Sequence, residues 1–113
     1  MKATNRTSGK DLANDLTTAD SVVHRMKGML GRKAFYYGEG LWIKRCKGVH
    51  SFGMKFPIDV VFLDRHLCVI AVVESLPPNR LTPLYFRASS VLELPSGKAE
   101  ETDTVTGDFI VIT

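Results

Sequence analysis

Residues 58–63 and 67–74 are two nearly continuous runs of β-branched and other apolar residues, separated only by Asp64-Arg65-His66, and no other feature limits the fold as tightly. Each run has the length of a strand and the spacer that of a hairpin loop. Asp64 occupies a turn position, where its carboxylate can accept bonds from backbone N–H groups just ahead. Apolar runs without polar alternation are expected of strands covered on both faces. The spacing therefore predicts an antiparallel hairpin at the centre of the sheet, with His66 exposed in its turn.

Directly before this hairpin lies the stretch His50-Ser51-Phe52-Gly53-Met54-Lys55-Phe56-Pro57-Ile58-Asp59. Asp59 shares a strand face with Val61 and Leu63, so its carboxylate is aimed at an apolar layer. An unpaired carboxylate is costly there, and partners are expected among His50, Ser51, Lys55, local N–H groups and Arg25 or Arg32. The structural reading is that Asp59 pins the turn made by residues 53–57. The functional reading is that Arg25, His50, Ser51, Gly53, Met54, Lys55, Asp59 and Glu93 line a site. Gly53 can supply a positive φ or admit a close neighbour. Glu93, on the face of Val91, is read as solvated and as a second carboxylate for that site.

The 113 residues, 44% hydrophobic and 24% charged, suffice for one core and predict one domain, 1–113. A polar, ragged N-terminus of about ten residues is followed by a short strand over 12–16. Thr17-Thr18-Ala19-Asp20 resembles a capping box, and Val22, Val23, Met26, Met29 and Leu30 fall on one face of a helix that Gly31 can end. Gly28 would let that helix pack closely, with His24, Arg25 and Lys27 solvated. Phe35, Tyr36 and Tyr37 are placed over one end of the core, and 41–46 reads as a strand. In 75–89, Pro77, Pro78 and Pro83 exclude a helix or central strand, yet the leucines and aromatics make it too apolar for a linker; it predicts an ordered loop across the domain. A strand at 90–94, a helical turn at 99–103 and a last strand at 109–112 follow. The fold class expected is mainly β (α+β), a small compact barrel-like antiparallel or mixed sheet with one short N-terminal helix.

No segment approaches the roughly 20 apolar residues of a membrane span, and the first residues lack the apolar core of an export signal, so a cytoplasmic chain is expected. Cys46 and Cys68 are not spaced as a redox or zinc pair and read as small buried hydrophobes. His50 with Cys46, Asp59 or Glu93 lacks paired zinc-site spacing, so neither metal nor cofactor is expected. His50 and Asp59 form a minimal acid/base pair for a hydrolase-like enzyme, but no serine or cysteine stands in a nucleophile turn. Enzymatic use requires the two side chains to converge in an open cleft. Single-stranded nucleic acid could engage Lys33, Tyr36, Tyr37, Trp42, Lys44 and Lys47, but a net charge of +3 does not favour it. The reading adopted is a binding or accessory domain for a small polar or anionic ligand or a protein partner.

The order of motifs adds a resemblance. Arg25-Met26-Lys27-Gly28-Met29-Leu30-Gly31-Arg32, Gly40-Leu41-Trp42, His50-Ser51-Phe52-Gly53-Met54-Lys55, Pro57-Ile58-Asp59-Val60-Val61-Phe62-Leu63-Asp64, Val91-Leu92-Glu93-Leu94-Pro95-Ser96-Gly97 and Gly107-Asp108 together resemble the prokaryotic domain of unknown function 192 family. The resemblance extends from about residue 19 to 111 and implies a small β-rich, barrel-like domain with a short helix, but no activity. Many members of that family carry a tryptophan where this chain has Gly53, and a longer loop where it has Phe56. The resemblance thus implies a smaller or differently gated site here. Some relatives also begin with an export signal.

Overall fold

The computed structural model describes residues 1–19 and 32–113. Its elements are β1 (Ala3–Asn5), β2 (Lys10–Ala13), β3 (Asp15–Ala19), β4 (Glu39–Lys44), β5 (Ile58–Leu63), β6 (Val69–Leu76), β7 (Ser90–Pro95), helix α1 (Lys98–Glu101) and β8 (Ile110–Ile112). The chain is thus mainly β with one short helix among the described residues. The strands form a three-stranded sheet, β2-β1-β8, and a five-stranded sheet, β3-β4-β7-β5-β6. Among the described residues no closed barrel joins them. The expected N-terminal helix, with His24, Arg25 and Gly28, falls in 20–31, outside the described residues. No described helix is long and apolar enough to cross a membrane.

The larger sheet is mixed: β3 and β4 pair parallel, and the remaining neighbours pair antiparallel. Strands β4, β7 and β5 are its interior, with all six residues of β5 buried. Alternation divides them between two cores. Ile58, Val60, Phe62 and Val91 face one apolar cluster with Leu41, Ile43, Val49, Met54 and Phe56. Val61, Leu63, Leu92 and Leu94 face the other, with Ala3, Leu12, Leu16 and Ile110 contributed from the smaller sheet and β3. The sheet is therefore covered on one side by β2-β1-β8 and on the other by the connections 45–57 and 77–89, which supply Cys46, Val49, Met54, Phe56, Tyr85 and Ala88 to the first cluster.

The hairpin of residues 58–76 forms as expected. Asp64 Oδ1 accepts the N–H groups of His66 and Cys68 at 2.8 and 3.0 Å, which closes the turn. Its position in the sheet differs from the expectation. β6 lies at the edge and is only partly buried along 70–73, while β7 occupies the centre. A continuous apolar run reports covered faces, and it carries no information about whether a strand has lateral neighbours.

The ragged N-terminus is likewise corrected: β1 is the middle strand of the smaller sheet, and Ala3 and Asn5 are fully buried. Asn5 looks like a solvated residue in sequence because its partners are remote. Its amide donates to Thr104 Oγ1 and Asp108 Oδ2, and its Oδ1 accepts from Thr7 and Ser8.

Candidate functional site

Connection 45–57 leaves β4 and enters β5; connection 77–89 leaves β6 and enters β7. Because those strands alternate in direction, the two connections run antiparallel to each other across one face of the large sheet. Hydrogen bonds join them rung by rung. Tyr85 N–H donates to the Lys47 carbonyl at 2.8 Å, Thr82 N–H to the Val49 carbonyl at 3.0 Å, and Ser51 N–H to the Arg80 carbonyl at 2.9 Å. His50 and Leu81 form an isolated antiparallel bridge. Gly48 makes the approach possible, since a Cβ there would lie 2.8 Å from Leu84 Cδ2 and 3.3 Å from the Pro83 carbonyl oxygen.

Ser51 is the hub of this pair. It is fully buried; its hydroxyl donates to the Pro77 carbonyl at 2.5 Å and accepts from Arg80 N–H at 2.9 Å. Its carbonyl accepts from Met54 and Asn79. Gly53 has φ +78°, the left-handed value expected of it, and its N–H donates to Asn79 Oδ1. Lys55 is exposed, whereas Met54 is buried in the first core cluster. His50 stacks on Phe52 with centroids 5.1 Å apart, and its Nδ1 accepts from Phe52 N–H. So His50, Gly53 and Lys55 belong to the surface of the turn, and Ser51 and Met54 to its underside.

Asp59 is fully buried, and the turn 53–57 is not what it pins. Oδ1 accepts from Ser75 N–H and Oδ2 from Ala99 N–H, each at 2.8 Å. One carboxylate thus ties β5 both to the left-handed residue Ser75 in β6, at φ +49°, and to the start of α1. These are the local N–H partners the buried charge requires, supplied from 16 and 40 residues away. Among the described residues, His50, Ser51 and Lys55 are not among its partners, and the Asp59 carboxylate is closed off from solvent. Arg25 lies outside the described residues.

Glu93 is fully buried rather than solvated. It pairs with Leu41 on one side and Val60 on the other, on the face beneath the connections. The basic and aromatic residues considered for nucleic acid are dispersed among different partners. Trp42 packs on the second core cluster with the Lys44 ammonium 4.8 Å from its ring, while Lys47 donates to the carbonyls of Phe86 and Ala88. Tyr36 lies against Arg32, and Tyr37 over Lys98. Phe35 alone of the three aromatics covers the core, edge-on to Phe56 at 5.7 Å. Arg32 is bonded to Glu39 at 2.5 Å, which holds that carboxyl below its usual range. No disulfide joins the cysteines: Cys46 is buried, with its thiol donating to the Gly48 carbonyl, and Cys68 is half-buried.

The structure adds residues that the sequence reading did not select. Phe52, Leu81, Leu84 and Phe86 project from the two connections with 48%, 67%, 63% and 76% of their surface exposed. Around them the connections carry Arg45, Lys47, Lys55, Arg80 and Arg87, all exposed, and no acidic residue. The available signal was a proline-rich segment holding leucines, aromatics and arginines without one carboxylate.

The family described as uncharacterized ACR, domain of unknown function 192, matches residues 3–112. None of the curated proteins matches. Among solved structures, a protein of unknown function from Novosphingobium aromaticivorans is similar with TM-score 0.86 and 20% identity, over 99% of this chain and 84% of that one. A "putative transcription regulator" from Sinorhizobium meliloti gives TM-score 0.80 and 18% identity, over 97% and 89%. At such identities the likeness concerns the fold alone.

Proposed function

This chain belongs to the domain of unknown function 192 family, and from that premise we propose that it is a non-catalytic binding domain whose paired connections, 45–57 and 77–89, hold an acidic, apolar segment of a partner protein. One observation carries the reading: four large apolar side chains are exposed on two connections that carry five cations and no carboxylate of their own, fixed from beneath by buried Ser51. Exposed apolar groups rimmed by charge mark interaction surfaces. Loops held rigid before binding lose less conformational freedom on association. Like-signed cations steer an oppositely charged partner and set its register.

In this reading His50, Gly53 and Lys55 touch the partner beside Phe52, while Ser51 and Met54 hold the turn in shape. Asp59 and Glu93 support the sheet below, and Arg25 remains an expected contributor. Random peptides displayed on phage and selected against the intact chain test the proposal. Selected sequences are expected to combine Asp or Glu with Phe, Trp or Leu. A synthetic peptide of that kind should lose about tenfold or more in affinity against the Arg80→Glu, Arg87→Glu double variant and against Leu81→Ser. Selection without acidic enrichment, or equal binding to the variants, overturns it.

A further inference from the structure

A second site lies away from the paired connections, where β2, the loop before β4 and α1 meet around a cavity of about 300 Å³. Its lining includes Lys10, Asp11, Tyr37, Lys98 and Glu101. Lys98 is unusual there. It is 4% exposed, yet it borders the cavity. Its ammonium sits 3.8 Å from the centre of the Tyr37 ring and 3.3 Å from Glu101 Oε1. The same oxygen accepts the Tyr37 hydroxyl at 2.9 Å.

An ammonium has three N–H donors and favours carboxylate oxygens at about 2.7–2.9 Å. Lys10, free at the surface, reaches Asp103 at 2.6 Å. Lys98, by contrast, is held back from Glu101, and among the described residues that carboxylate is its one hydrogen-bond acceptor. A buried cation in this state has capacity for a further acceptor entering from the cavity. Such an acceptor alone would meet Asp11 and Glu101, while a cation alone would meet Lys10 and Lys98. At the rim Asp11 also pairs with Lys2 at 3.2 Å and accepts from Thr4, and Lys10 pairs with Asp103; these are exposed pairs of small net worth, with which a ligand carrying both signs a short distance apart would exchange.

We infer that this cavity binds a small zwitterion of the amino-acid class, its carboxylate on Lys98 and Lys10 and its ammonium on Glu101 and Asp11. Tyr37, 79% exposed, closes over Lys98 from the solvent side and holds Glu101 by its hydroxyl. The bonds from Tyr37 and Lys98 keep the Glu101 carboxyl below its usual range, so it is charged at neutral pH as an ammonium partner must be.

The test is calorimetric titration of the intact chain with the twenty amino acids, and with acetate and ethylamine as single-charge controls. At least one amino acid should bind below about 10 mM and about tenfold or more tighter than either control. Glu101→Gln, whose amide oxygen can still accept from Tyr37 and Lys98 and whose folding is checked by circular dichroism, should weaken that amino acid about tenfold and strengthen acetate. Lys98→Met should abolish binding of both. Absence of binding by every amino acid, controls that bind equally well, or a Glu101→Gln variant with unchanged preference each overturns the assignment, whether or not Lys98→Met folds.

Discussion

Replacing Asp59 by alanine tests the claim that this carboxylate is a lock. In the native chain it is fully buried and receives two backbone N–H bonds of 2.8 Å, from Ser75 and Ala99. Hydrogen bonds to a charged group contribute about 1.5–3 kcal/mol each, and a buried donor left without an acceptor costs about 1–3 kcal/mol. The Ala99 N–H is in a buried setting and keeps the full penalty, whereas the Ser75 N–H lies at a half-buried position that water can reach. The two bonds together come to about 3–6 kcal/mol, and relief of the carboxylate's own desolvation offsets the orphaned donor, so Asp59→Ala should lose about 3–6 kcal/mol, a large share of the about 5–15 kcal/mol that holds a domain of this kind folded. Asp59→Asn should lie between, because the amide can accept one N–H but presents its own donors to the other. Urea unfolding measures the loss, and hydrogen exchange locates it: the Ala99 amide should lose more protection than that of Ser75. A loss below about 1 kcal/mol for alanine, with Ala99 still protected, would refute the reasoning.

Other outcomes follow from single contacts. Ser51→Ala removes the bond to the Pro77 carbonyl and the acceptor for Arg80 N–H; it should cost about 1–3 kcal/mol and make residues 77–89 more sensitive to limited proteolysis, read by the site of first cleavage. Gly53→Ala places a side chain at φ +78° and should cost about 1 kcal/mol, measured as a fall in urea midpoint with unchanged slope. The Arg32 bond depresses the Glu39 carboxyl in the folded chain, so its contribution is complete above the ordinary carboxyl range near 4.5 and disappears as pH falls through the lowered folded value. Urea midpoints of the wild type and Glu39→Gln should therefore differ at pH 7 and converge as the pH is taken well below the ordinary carboxyl range.

Much of the architecture was readable because its causes are local. The hairpin 58–76 announces itself by two apolar runs and an aspartate at the first position of the spacer, and Asp64 accepts from the N–H groups two and four residues ahead. The strand 90–94, the helical turn near 99 and the positive φ of Gly53 are similarly encoded in a few adjacent residues. Asp59 was identifiable as a buried charge needing partners from the alternation of its own strand. Its partners were not identifiable, since Ser75 and Ala99 enter through strand order and the placement of α1. Glu93 was read as solvated for the same reason: period-two alternation gives its face, but only the packing of distant segments over that face removes it from water.

The residues by themselves determined the strands of the hairpin and of 90–94, the turn between the hairpin strands and which side chains share a face, because these depend on φ/ψ preferences and on a two-residue repeat; strand β1 and the division of 10–19 into β2 and β3 were not among them. Tertiary structure decided lateral order, with β7 and not β6 at the centre, and drew the polar start of the chain into the middle of a sheet. It also decided which polar groups are sealed and which surface stays open: Asp59 and Ser51 became fasteners, and Phe52, Leu81, Leu84 and Phe86 were left outside. The physical reason is range. Backbone geometry acts between neighbours, whereas burial is a property of a layer, and a layer exists only after distant segments have packed together.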